Sequence, residues 1–96
     1  MTAYVIYQAD VLDADLYAKY REKSPLTLAD AGGKFIVRGG EIEVLEGSPP
    51  QGRTVVIEFE SMNAARNWYY GKGYTETRRL RAGAAIANAY IIDGVN

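Results

Sequence analysis

The chain has 96 residues, 11 basic against 12 acidic side chains for a formal charge of −1, and neither cysteine nor histidine. Those counts exclude disulfides, thiol catalysis and imidazole chemistry, and they supply no basic stripe for nucleic acid. A chain this short buries about 60–65% of its unfolded surface, so residues 1–96 are read as one domain with a thin core.

In chain order, residues 3–9 (AYVIYQA) are short, β-branched and aromatic, and read as a first strand. Asp13 is placed to cap a following helix, with Asp15 favourable in its first turn. Within ADLYAKYREK, Leu16, Tyr17 and Tyr20 recur at helical spacing while Lys19, Arg21, Glu22 and Lys23 fall to solvent. Ser24-Pro25 predicts a restart, with a short second helix from Pro25 to about Ala31 that stops at Gly32-Gly33. KFIVRG is the next strand, and Gly39-Gly40 is a hairpin signal. EIEVLE then alternates as a half-exposed or edge strand, and the paired prolines of GSPPQG make a loop.

RTVVIEFE is a further strand. Ser61 caps a helix whose Ala64, Ala65, Trp68 and Tyr69 share one face, and Gly71 and Gly73 break it. A last helical stretch runs from Tyr74 to about Ala84, and ANAYIID closes the chain as a strand. The order predicts an α+β, ferredoxin-like βαββαβ fold: a four-stranded antiparallel sheet with the helices on one face. No apolar run approaches the ~20 residues that span a bilayer, and the N-terminus lacks a signal-peptide pattern. A cytoplasmic protein with no membrane partner is expected.

Alternate strand residues go to opposite faces. Val5, Tyr7, Phe35, Val37, Val55, Ile57, Phe59, Ala89 and Ile91 form an apolar set that suits the helix side. The other set is Tyr4, Ile6, Gln8, Ile36, Arg38, Thr54, Val56, Glu58, Asn88, Tyr90 and Ile92. It is too polar for a core and too apolar for bare water. A second copy of the chain is the economical cover, giving a homodimer through the sheet face in which Arg38 and Glu58 pair. A solvated face with a surface ion pair is the alternative, and a bulge in one strand would swap the sets.

AYVIYQADVLD, SPLTLADAGGKFIVRGG, VLEG and VVIEFESMNAARNWYY, in that order over nearly the whole chain, resemble the DUF1330 family of the dimeric α+β barrel superfamily. The resemblance implies a ferredoxin-like monomer paired through its sheet. It brings no assigned activity. Some members carry His or Tyr just before the double glycine, where this chain has Ala31, and the Gly71–Gly73 turn also departs from the family pattern. Wider relatives include cofactor-independent monooxygenases, lactone isomerases and haem-handling proteins.

Eight tyrosines are the notable excess. Tyr17, Tyr20, Trp68 and Tyr69 either pack the helices on the sheet or line a pocket for a small organic acid or phenolic metabolite. Arg38 and Glu58 are the candidate catalytic pair, Arg38 to hold an anion and Glu58 to move a proton. A structural ion pair is the plainer account of them. Arg78, Arg79 and Arg81 read as a solvated helix face. Glu41, Glu43 and Glu46 read as edge protection rather than a metal site, and GGKFIVRGG lacks phosphate-loop spacing. No cofactor and no metal are expected. Two functions stay open: a cofactor-free oxidoreductase or isomerase, and a non-enzymatic metabolite-binding or structural dimer.

Overall fold

The computed structural model describes residues 2–95. Strand β1 (Ala3–Val11) buries every odd residue from Ala3 to Ala9 and leaves the even ones partly open, as a strand with one covered face should. It pairs antiparallel with β3 (Arg53–Phe59) on one side and with β4 (Ala85–Asp93) on the other. β2 (Lys34–Arg38) joins the free edge of β3, giving the order β2-β3-β1-β4. Helix α1 (Ala14–Ala31) links β1 to β2. Helices α2 (Met62–Tyr70) and α3 (Lys72–Arg78), with a 3-10 turn at Arg79–Arg81, link β3 to β4. This is the expected ferredoxin-like α+β arrangement. Among the described residues, no helix is long and apolar enough to cross a membrane.

Both helix starts follow their capping residues. The Asp13 carboxylate accepts from Leu16 N–H at 3.1 Å, and the Ser61 hydroxyl accepts from Ala64 N–H at 3.0 Å. Gly32 ends α1 in the left-handed conformation at φ 75°, where glycine alone is unstrained. The predicted break at Ser24-Pro25 does not occur, and Pro25 lies inside one continuous helix. An interior proline costs about 3 kcal/mol. The stripe Tyr17, Tyr20, Ser24 and Leu28, buried along one line at helical spacing, holds both halves in register.

Three other expectations are corrected. EIEVLE forms no strand; residues 40–45 have no ladder partner and belong to the loop between β2 and β3. β2 pairs directly with β3, whose Val55, Ile57 and Phe59 are buried, because an apolar strand is a better partner than a segment of alternating glutamates. The last helical stretch starts earlier, at Lys72, and tightens to the 3-10 turn at Arg79, so Gly73 is inside a helix. The third correction concerns faces. A bulge lies between Phe35 and Val37: Phe35 opposes Ile57, Val37 opposes Val56, and Arg38 opposes Val55. Val37 therefore moves to the outer face and Arg38 to the helix side, since a one-residue slip reverses every side chain beyond it.

The result is a two-layer slab of 35 × 33 × 16 Å. α2 packs closely on β1, β3 and β4, while α1 rests mainly on α2, α3 and the 3-10 turn. Space is thereby left between α1 and the strands beneath it.

Candidate functional site

That space is a cavity of about 40 Å³, room for a few waters or the compact end of a ligand. Its floor is buried: Val5, Tyr7, Val55 and Ile57 from the sheet, Tyr17, Tyr20, Ser24 and Leu28 from α1, and Trp68 and Tyr74 from the second helical layer. Its mouth is marked by lining residues that remain open to solvent, chiefly Arg21 on α1, Arg38 and Phe35 on β2, Arg53 on β3 and Tyr69 on α2.

The floor is aromatic for a packing reason and polar for a hydrogen-bonding one. Trp68 lies 4.0 Å from Tyr74 and 5.5 Å from Phe59 between ring centroids, and its indole N–H donates to Thr27 Oγ1 at 3.0 Å. Buried phenols need partners, and here they take each other: Tyr7 with Tyr17 at 2.8 Å, Tyr20 with Tyr74 at 2.6 Å. Burial, reinforced by the Tyr17 hydrogen bond, pushes the Tyr7 phenol well above the ordinary tyrosine range. Burial and then the neighbouring Tyr74 do the same to Tyr20. Both hydroxyls are thus neutral at physiological pH.

The charge is one-sided. Among the described residues, three guanidinium groups line the cavity and no carboxylate does, although the chain as a whole is slightly acidic. The Arg38 guanidinium carbon lies 4.3 Å from the Phe35 ring centroid. Arg53 is half-buried, with its Nε enclosed and without an acceptor. The arginines expected to be solvated behave otherwise: Arg78 lies over Tyr69 at 4.4 Å, and Arg81 sits 5.4 Å from both Tyr7 and Tyr20. Burial opposes the Arg81 charge, but the surrounding phenols outweigh it and raise its pKa. Only Arg79 keeps the exposed position foreseen for the cluster.

Of the candidate residues, the structure brings Arg38, Tyr17, Tyr20, Trp68 and Tyr69 to this cavity. Glu58 is not brought there. It opposes Tyr4 and Lys34 across the ladders, on the sheet face away from the helices, so Arg38 and Glu58 do not form the expected pair. Tyr7, Tyr74, Arg21, Ser24 and Arg53 line the cavity without having been singled out. For Arg53 and Tyr7 the signal was present: each has the parity of the apolar set on its own strand. Among the described residues no group of acidic side chains converges to hold a metal ion.

A family profile described as "Domain of unknown function (DUF1330)" matches residues 2–95. Among solved structures, the chain is similar to a protein of unknown function from Rhodopseudomonas palustris, with 18% identity and a TM-score of 0.74, covering 99% of this chain and 83% of that one. It is also similar to SnoaB, a cofactor-independent oxygenase from Streptomyces nogalater, with 13% identity and a TM-score of 0.59, covering 99% and 94%. At these identities the likeness is one of fold. No curated protein matches the sequence.

Proposed function

The chain belongs to the DUF1330 family, a domain of unknown function, and we propose that its cavity binds a small organic anion. The observation that carries this reading is the lining itself: three arginines at the mouth, no carboxylate among the described lining residues, and an apolar aromatic floor. A ligand with a carboxylate at one end and a compact apolar body at the other satisfies both halves. Arg38 would hold the anion at the mouth. Tyr17, Tyr20, Trp68 and Tyr69 would pack the body, with one O–H of each hydrogen-bonded phenol pair left to donate.

The unit that binds is proposed to be a homodimer through the outer sheet face. Ile36, Ile86, Tyr90 and Ile92 are each about half exposed there, and the slab presents a 35 × 33 Å broad side. That exceeds the ~800 Å² per partner that a stable complex buries.

A second reading, oxidation without a cofactor, is favoured by the likeness to SnoaB. In this cavity it requires a substrate that gives up its own proton, because the lining offers phenols and guanidinium groups but no carboxylate or imidazole base. A thermal-shift panel of small carboxylates against their neutral amides tests the binding reading. Carboxylates raise Tm, amides do not, and Arg38→Ala weakens the response. Equal behaviour of acids and amides would sink it. Oxygen uptake with the responding acids tests the second reading.

A further inference from the structure

Arg53 differs from the other two arginines of the mouth. It is the first residue of β3 and opposes buried Ala9, so the pleat aims it at the helix side. Arg21 and Arg38 are exposed on the helix and the edge strand, whereas Arg53 is half-buried. Two glycines make its seat. Gly52, at φ 75°, runs so close to β1 that a Cβ there would collide with the Ala9 carbonyl. Gly39, at φ 71°, donates its N–H to Thr54 O at 2.9 Å and lies beside the Arg53 guanidinium. A Cβ at Gly39 would stand 2.6 Å from Arg53 Nη2 and 2.9 Å from Nε. The turn therefore packs closely against the guanidinium, and among the described residues its enclosed Nε has no acceptor.

A long side chain ordinarily loses rotamer entropy when it grips a ligand, and one already held has less to lose. A partly desolvated cation with no carboxylate among the described lining residues gains most from an incoming anion. From these two facts we infer that Arg53, seated on the Gly39 turn, is the anchor of the anion site and that Gly39 is its positioning residue. Arg38 and Arg21 close over the ligand from the rim. The ligand class is narrowed to a small carboxylate whose acidic group reaches past the rim to β3. The inference rests on the anion-binding reading and sharpens it.

The test is a ¹H–¹⁵N NMR titration with acetate, isobutyrate and benzoate, with benzamide as neutral control and inorganic phosphate as the competing anion. Arginine Nε–H signals are observed directly. The Arg53 Nε–H signal is expected to shift in step with the cavity amides. Arg53→Gln should weaken carboxylate binding about tenfold or more, and Arg38→Ala should weaken it less. Arg53→Lys keeps the charge and should still lose most of the affinity, which covers the case in which Arg53→Gln folds poorly. Gly39→Ala should weaken benzoate binding while amides away from the turn keep their folded chemical shifts, a split that general unfolding does not produce. Binding that survives both Arg53 variants and disappears in Arg38→Ala overturns the anchor but keeps the anion site. Phosphate displacing every acid overturns the carboxylate assignment. Wild-type protein that binds none of these anions overturns the anion site itself.

Discussion

The two faces of the sheet are built from the same strands and meet opposite fates. On the helix side, Val5, Val55, Ile57 and Phe59 are almost wholly buried within one chain, and the exception is the hollow under α1, ringed by cations. On the outer side Ile36, Val37, Ile86, Tyr90 and Ile92 stay about half open, with Glu58 among them. Burial of apolar area is what stabilises a fold, so the helix side carries the stability of the chain and the outer side is free to carry association. Changes on one face should leave the property of the other intact.

The largest effect expected is on the helix side. Trp68→Ala removes the ring between Phe59 and Tyr74 and strands Thr27 without its indole donor. It should cost about 3–5 kcal/mol, read as a lower urea midpoint at unchanged m. Next comes the outer face. Ile92→Asp should weaken self-association by about 2–3 kcal/mol, roughly a hundredfold, and shift the sedimentation profile toward single chains without lowering the urea midpoint of the monomer. If wild-type chains sediment singly at micromolar concentration, the division of labour between the faces is wrong.

The buried phenols give the third expectation. Tyr20→Phe leaves the Tyr74 hydroxyl without its 2.6 Å partner and should cost about 1–2 kcal/mol. Its pH signature is distinctive. Tyr7 and Tyr20 have folded pKa values raised above the ordinary 10.0, so the unfolded chain releases protons first as pH climbs. Their contribution is fully present below pH 10 and is lost as pH rises toward their folded values. Thermal melts should be flat with respect to these groups up to about pH 9 and then fall, and Tyr20→Phe should make that fall shallower.

How much of this was legible in the sequence depends on how local the cause was. The caps at Asp13 and Ser61, the stop at Gly32 and the apolar parity of β1 and β3 are set by neighbours in the chain, and all were readable. Pro25 was misread because local propensity favours a break, and the contacts that override it come from distant strands and helices. The EIEVLE segment alternates like a strand, yet β2 had a better partner farther along the chain. The cavity was half visible. Tyr17, Tyr20, Trp68 and Tyr69 announce themselves as an aromatic stripe, and Arg53 follows from parity. The hollow itself depends on how far α1 stands from the sheet, which no residue spacing records.

The smallest effect expected bears most directly on the two faces. Arg38 and Glu58 are one strand apart, and simple alternation from Phe35 puts them on the same side. The bulge at Ile36 turns Arg38 toward Val55 and the cavity while Glu58 keeps the parity of Tyr4 and Val56. A charged pair in contact on one face shows coupling of about 0.5–3 kcal/mol in a double-mutant cycle, and a pair separated by the sheet adds within about 0.3–0.5 kcal/mol. The cycle of Arg38→Ala, Glu58→Gln and the double variant should therefore be additive, each single change staying within about 0.5 kcal/mol. Deleting Ile36 removes the extra residue and leaves Phe35, Val37 and Arg38 alternating opposite Ile57, Val56 and Val55, so Arg38 should stay on the cavity side. The cycle should stay additive in that background as well. Coupling already present with Ile36 in place would put both charges on the same face and remove Arg38 from the anion site.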